Sequence, residues 1–170
     1  MLDPKVVSLM NQQVNKEFYS AYLYLDFSNY YYDQELNGFG NWYLIQAQEE
    51  RDHAMLFYDY LQNNDQLVEL DAIGKPDKVF SDNMGPLLAA LEHEQYVTSL
   101  INDIYAAAYE VRDFRTMEFL NWFVKEQGEE ETNARDMITK MELFGNDPKS
   151  LYMLNSELLA RVYTAPSLVL

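Results

Sequence analysis

Residues 38–63 read GFGNWYLIQAQEERDHAMLFYDYLQN, and their pattern is the strongest indication of the fold. Its apolar and aromatic side chains recur at steps of three and four, which is the period of one face of an α-helix. At mid-length the same face carries Glu50 and His53, about one helical turn apart. The stretch therefore predicts a long, packed helix with two metal-ligand types in the middle of its apolar stripe.

Three further segments have the same period, so the chain is predicted to be all-α. We expect helices at about 5–34, 38–63, 83–110, 113–143 and 148–163. Short links make the first two and the next two helices antiparallel hairpins, whereas 64–82 contains Gly74 and Pro76 and is predicted to be a long crossover. Residues 1–170 are thus expected to form one domain, a four-helix bundle with a short fifth helix that Asp147 and Pro148 open.

Each long stripe is interrupted by side chains that can bind a metal ion. They are Glu17, Glu50, His53, Glu94, Gln127 and Glu130. Glu17 and Glu50 are 33 positions apart, as are Glu94 and Gln127, and another ligand type follows three positions later in each half. Two equivalent hairpins would bring all six side chains together in the middle of the bundle.

Charge indicates what such a cluster would hold. Four ionised carboxylates in a core repel one another and cost several kcal/mol each, and two divalent cations would neutralise them. An oxygen-rich set with one imidazole suits iron or manganese better than structural zinc. The alternative is that each Glu lies at the edge of its stripe and reaches water, as most helical Glu residues do.

Composition excludes several other functions. Asp and Glu total 28 against 12 Lys and Arg, a net charge of -16, so neither nucleic acid nor an anionic membrane is an expected partner. There is no Cys, which excludes disulfides and thiolate metal sites. No apolar run approaches a membrane span and the N-terminus does not resemble a secretory signal, so we expect a cytoplasmic protein.

The motif QEERDHA at 48–54, taken with Glu17, Glu94 and the QGEE run at 127–130, resembles the non-haem bacterial ferritins of the ferritin-like di-iron carboxylate family. The resemblance covers nearly the whole chain. It implies a ferroxidase that oxidises Fe(II) with O2 or hydrogen peroxide, and a hollow octahedral shell of twenty-four identical chains that stores ferric mineral.

The resemblance also implies a role for each of the six side chains. Glu17 and His53 would hold one iron, Glu94 and Glu130 the second, and Glu50 would bridge them. Gln127 would be a weak ligand of the second iron.

Bacterioferritins and rubrerythrins carry a second Glu-x-x-His where this chain has Gln127-x-x-Glu130, so permanently held iron is less expected here. Arg51 stands where bacterioferritins have a haem-ligating Met, and no haem is predicted.

Several weaker signals leave two interpretations open. Glu49, Glu126 and Glu129 resemble a third iron position, but a solvated acidic face explains them equally well. Tyr24 resembles the family's site tyrosine, which could hydrogen-bond a ligand or donate an electron, or it is simply a buried Tyr with a satisfied hydroxyl. His93 lies off the stripe and is expected at the surface or in an interface.

Two rival functions use the same helices. One is a ferritin-like di-iron peroxidase or di-manganese catalase that stores no iron. The other is a structural bundle whose acidic residues are solvated and bind no metal tightly. Trp122 could be a redox relay, but packing is the favoured interpretation.

Overall fold

The fold is all-α, as predicted, in a computed structural model that describes residues 2–170. The helices are α1 (Pro4–Asp33), α2 (Asn37–Asn63), α3 (Gly85–Glu110), α4 (Phe114–Phe144) and α5 (Pro148–Leu158). Among the described residues, none of these helices is both long and apolar enough to cross a membrane.

Three helices begin at an aspartate that caps them. The side chain of Asp3 accepts from the backbone N–H of Lys5, Asp113 does the same for Thr116, and Asp147 for Ser150. Each bond satisfies an N–H that has no partner within its own helix. The N-cap predicted at Asp147 is confirmed.

The N-terminus of α2 is capped by another helix. Leu36 makes no side-chain cap bond, and Asn155 of α5 instead accepts from the backbone N–H of Gly38 at 2.7 Å. A Cβ at Gly38 would lie 1.7 Å from the Asn155 carbonyl oxygen, so the close approach requires glycine. This contact docks α5 on the start of α2.

The fifth helix ends at Leu158, five residues before its predicted end at 163. The Asn41 amide donates to the carbonyl oxygens of Leu158 at 3.4 Å and Arg161 at 3.1 Å. With its last carbonyls bonded to α2, the chain leaves the helix and Arg161 turns back towards the bundle. Periodicity alone does not reveal such a cap from a distant helix.

The crossover between α2 and α3 runs along α1. Asn11 accepts from the N–H of Glu69 at 2.9 Å, Asn15 donates to the Ala72 carbonyl at 3.0 Å, and the Tyr31 hydroxyl donates to the Asn83 carbonyl at 2.7 Å. The segment thus travels from near the beginning of α1 to near its end. It therefore brings the chain to the far end of the bundle, and α3 runs parallel to α2, as predicted.

Hydrogen bonds, more than burial, hold this crossover in place. Leu67, Leu70 and Val79 are 80%, 70% and 94% exposed, respectively. The crossover therefore presents an apolar strip to the solvent.

The bundle core is divided into two apolar clusters. One surrounds Phe27, Phe39 and Met137, and the other surrounds Phe57 and Phe123. On every long helix, the positions between the clusters hold the polar side chains singled out in the sequence. The fold therefore forms a polar layer between two apolar ends.

Candidate metal centre

All six sequence-predicted side chains of the centre are buried in this polar layer. Their exposed fractions are 1% for Glu17, 2% for Glu50, 2% for His53, 3% for Glu94, 4% for Gln127 and 6% for Glu130. The alternative in which these acidic residues reach water is wrong, because both hairpins turn them inward. The rival interpretation as a structural bundle required solvated acidic residues, so it loses its support.

The α1–α2 hairpin brings three of them within ligand distance of one another. One atom each of Glu17, Glu50 and His53 lies within 4.8 Å of the others. His53 Nδ1 is 3.3 Å from a Glu50 oxygen. Two carboxylates and an imidazole at this spacing can bind a single divalent cation.

The α3–α4 hairpin supplies the opposite wall. Gln127 donates to one Glu94 oxygen at 3.1 Å, and the Tyr24 hydroxyl donates to the other. Glu130 accepts at 2.8 Å from Gln46, which comes from the first hairpin. These carboxylates are held by neutral donors across the bundle.

Two glutamines that the sequence analysis missed complete the layer. Gln13 donates to Glu17 at 2.7 Å, and Gln46 donates to Glu50 at 3.0 Å as well as to Glu130. Each precedes its glutamate by four positions, which places the pair on one helix face. Gln13 and Gln46 are also 33 positions apart, a signal that could have revealed them.

Burial dominates the electrostatics of the carboxyl groups. It raises the pKa of Glu17 to about 8, with help from the charge on Glu50, and the pKa of Glu94 also to about 8 for the same two reasons. Burial, together with the charges on Glu94 and Glu50, raises the pKa of Glu130 well above its usual range. Without metal, burial therefore favours the protonated form of all three groups.

Glu50 and His53 behave oppositely. Burial alone would raise the pKa of Glu50, but the charge and hydrogen bond of His53 outweigh it and the pKa falls. Burial would lower the pKa of His53, yet the bond to Glu50 and the nearby carboxylates raise it to about 10. The metal-free centre thus contains one ion pair among carboxyl groups whose protonated forms are favoured.

One oxygen in the layer has no hydrogen-bond partner. Of the buried side-chain nitrogen and oxygen atoms in residues 2–170, only Glu17 Oε2 lacks one. Such an atom normally costs about 1–3 kcal/mol. Since Glu17 belongs to the three-residue cluster, the donor set fits a cation that would bind this free oxygen.

Tyr24 and Trp122 border the layer. Burial, followed by the charge on Glu94, raises the pKa of Tyr24 well above normal, so its hydroxyl stays protonated and can donate to Glu94. The Trp122 ring packs edge-on against His53 with centroids 5.5 Å apart. Its indole N–H donates to Ser167 in the C-terminal segment at 2.9 Å.

The surface position expected for His93 is wrong. The residue is only 9% exposed, and its Nε2 lies 2.7 Å from the Ser20 hydroxyl on α1. Burial lowers the pKa of His93 to about 4. A helical angle places His93 off the ligand stripe, but it does not show that α1 packs over that side of α3.

The residues that resemble a third iron position lie around one cavity. Glu49, Glu126 and Glu129 line a space of about 330 Å³ together with His53 and Arg161. Arg161 pairs with Glu49 at 2.5 Å. A third cation bound through Glu49 would therefore compete with a cation that the chain already supplies.

The fold and this layer define a helical-bundle protein with a buried, carboxylate-rich candidate metal centre. The family model described as "Ferritin-like domain" matches residues 7–144. The chain belongs to the ferritin-like family, which confirms the resemblance drawn from the motifs.

Relatives and solved structures agree with that membership. A bacterial non-heme ferritin of Campylobacter jejuni is 38% identical over 90% of this chain and 92% of its own length. One from Staphylococcus saprophyticus is 34% identical over 96% and 98%. The open-pore ferritin of Archaeoglobus fulgidus is 38% identical, with a TM-score of 0.92 over 95% of this chain and 98% of the other.

Proposed function

We propose that this protein stores iron and oxidises Fe(II) at the polar layer of its bundle. The observation that carries the proposal is the burial, from four helices, of four carboxylates, one imidazole and one amide between two apolar clusters. Two divalent cations would balance four carboxylate charges. The non-heme ferritin relatives support iron as the metal that is bound and stored.

We propose two Fe(II) per chain as substrate. Glu17, Glu50 and His53 would bind one ion, because their ligand atoms already lie within 4.8 Å of one another. Glu94 and Glu130 would bind the second, and Glu50 would bridge the two ions. Gln127, a neutral donor to Glu94, would be a weak ligand from which ferric product can leave.

Oxidation of two Fe(II) releases two electrons, which an acceptor must take up. Two Fe(II) each give one electron to O2, which with two protons becomes hydrogen peroxide; with peroxide as acceptor, two protons complete two waters. The centre contributes proximity of the two ions and charge neutralisation. Both O2 and hydrogen peroxide fit this balance.

Side chains of the centre must release protons when cations bind. Glu17 and Glu94, whose pKa is about 8 in the metal-free protein, and His53, whose pKa is about 10, must lose protons to bind cations. Tyr24 holds one Glu94 oxygen and so leaves the other side of that carboxylate to Gln127 and the cation. The role of Tyr24 is thereby one of orientation.

We also propose that twenty-four chains form a hollow octahedral shell in the cytoplasm. The ferritin structures that superpose over nearly the full chain support a shell. The absence of Cys fits a reducing compartment.

The proposal is tested by anaerobic addition of two Fe(II) per chain, followed by air, with absorbance and particle mass recorded together. We expect a rapid ferric signal from a particle of twenty-four chains, and further iron should remain soluble as mineral within that particle. The same signal from a dimer that retains no mineral would support the peroxidase or catalase alternative instead. No oxidation faster than that of free Fe(II) would refute a ferroxidase centre.

A further inference from the structure

The C-terminal segment that follows α5 contacts the polar layer through the Arg161 side chain. Arg161 is three residues beyond the end of α5, and its guanidinium donates two hydrogen bonds to Gln46 Oε1, at 3.1 Å and 3.0 Å. Neither partner belongs to the six side chains that the sequence points to. Their contact connects a segment outside the four-helix bundle to the candidate metal centre.

The chemistry of the contact determines how Gln46 is oriented. A guanidinium has only donors, so the Gln46 atom that faces it must be the oxygen. The amide nitrogen is then forced to the other side, where it donates to Glu50 at 3.0 Å and to Glu130 at 2.8 Å. Turned the other way, the amide would place its oxygen against two carboxyl groups.

Three further contacts hold the guanidinium itself. It pairs with Glu49 at 2.5 Å, stacks over the Trp42 ring at 4.1 Å, and donates to the Trp42 carbonyl at 3.1 Å. The Arg161 side chain is only 16% exposed, which strengthens its charged contacts. These contacts hold the Arg161 guanidinium on several sides. A group must be fixed in this way if it is to orient another side chain.

We propose that Arg161 is a positioning residue of the metal centre. Acting through Gln46, it fixes the spacing of Glu50 and Glu130, one carboxylate from each hairpin, so that their remaining oxygens face the cations. This inference rests on the proposed function, because it assumes that these two carboxylates bind metal. Glu49 serves in it as the counter-ion that holds Arg161.

The test is Co(II) binding to the assembled protein, followed by visible absorbance and calorimetry. We compare the wild type with Arg161→Ala, Arg161→Lys, Gln46→Ala and the Gln46→Ala/Arg161→Ala double variant. Losing a partner that orients a ligand typically weakens metal binding 10- to 100-fold, so we expect roughly a tenfold loss in Arg161→Ala. Arg161→Lys, which can still donate to Gln46, should recover part of that loss.

The double variant separates positioning from general structure. If Arg161 acts through Gln46, adding Arg161→Ala to Gln46→Ala should weaken Co(II) binding little further. The matched control is Tyr163→Phe, which removes another tie between the C-terminal segment and α2, the hydrogen bond to Asp52, without touching Gln46. It should bind Co(II) as the wild type does.

Each contrary result has a distinct meaning. Wild type that binds no Co(II) at the buried centre would overturn the proposed function. Two tightly bound Co(II) in wild type and equally tight binding in Arg161→Ala would overturn only the role of Arg161. Additive losses in the double variant, or an equal loss in Tyr163→Phe, would also overturn it, because the segment would then act merely as a structural support.

Discussion

The two hairpins repeat the same spacing but prepare their carboxylates differently. In the α1–α2 hairpin, Glu17, Glu50 and His53 approach one another closely, and the Glu50–His53 pair is charged before metal arrives. In the α3–α4 hairpin, neutral donors hold Glu94 and Glu130. The first half is a preformed cluster, whereas the second is a set of separately held acids.

This difference suggests how one bundle can both bind and release a metal. The closely spaced ligand atoms of Glu17, Glu50 and His53, together with the unpaired oxygen of Glu17, favour a tightly held cation in the first half once Glu17 and His53 have lost their protons. A neutral amide beside Glu94 contributes less charge to the second. We expect the two metal positions to differ in affinity.

Removing the imidazole should break the first half. His53→Ala removes a proposed ligand of the first cation, so the initial rate of Fe(II) oxidation should fall by about 100-fold, the upper end of the cost of losing an outer-shell partner. Stopped-flow absorbance after mixing with aerated buffer measures it. The matched control is His93→Gln, which alters the other buried histidine of the chain outside the cluster; a fall equal to that in His53→Ala would refute the assignment.

Adding a negative charge to the α3–α4 hairpin should make the two hairpins more alike in how tightly they hold a metal. Gln127→Glu places a carboxylate beside Glu94. The second metal should therefore leave about tenfold more slowly, because one added charge-assisted contact contributes no more than about 1.5–3 kcal/mol. Chelator competition on Co(II)-loaded protein measures the release rate. Gln62→Glu adds the same charge at an exposed position of α2 and should change nothing; unchanged release in Gln127→Glu would show that Gln127 does not face the second metal.

Loss of protons from buried carboxyl groups should make the metal-free protein less stable as pH rises. The folded pKa of Glu17 is about 8, raised from 4.5, so its protonated form stabilises the fold fully below pH 4.5, and this stabilisation is lost as pH rises through about 8. The melting temperature of chelator-treated protein should therefore fall between pH 5 and pH 9. Glu17→Gln cannot titrate and should flatten this slope; an equally steep slope would place the titration elsewhere.

The N-terminal caps of α2 and α4 should give the smallest effect, a difference in how much each cap contributes to stability. Asp113 caps α4 locally, and its replacement by Ala should cost about 1 kcal/mol. Asn155→Ala removes the cap of α2 and loosens α5 as well, so it should lower the melting temperature more than Asp113→Ala. Calorimetry of both variants measures this order, and the reverse order would show that α5 does not support α2.

Much of the architecture was predictable from the sequence because a helical stripe is a local pattern. The repeated 33-residue spacing marked the side chains of the layer, and burial of all six follows from the faces on which they lie. Their roles as ligands stay a prediction. Gln13 and Gln46 were overlooked because each lies four positions before its glutamate, outside the three-residue spacing that singled out Gln127 with Glu130.

The position of Arg161 and the environment of His93 could not be predicted from helical periodicity. The position of Arg161 depends on where α5 ends, which Asn41 of a distant helix determines. The environment of His93 depends on which helix covers its side of α3. Both are consequences of tertiary packing between elements far apart in the chain, and periodicity contains no information about them.

The apolar strip on the crossover has a consequence for how this protein must be handled. A lone chain would show Leu67, Leu70 and Val79 to water, and such surfaces favour self-association. If copies of the chain cover the strip, mass action makes the melting temperature depend on how much protein is dissolved. Dilution series, rather than a single sample, are then the appropriate way to compare variants.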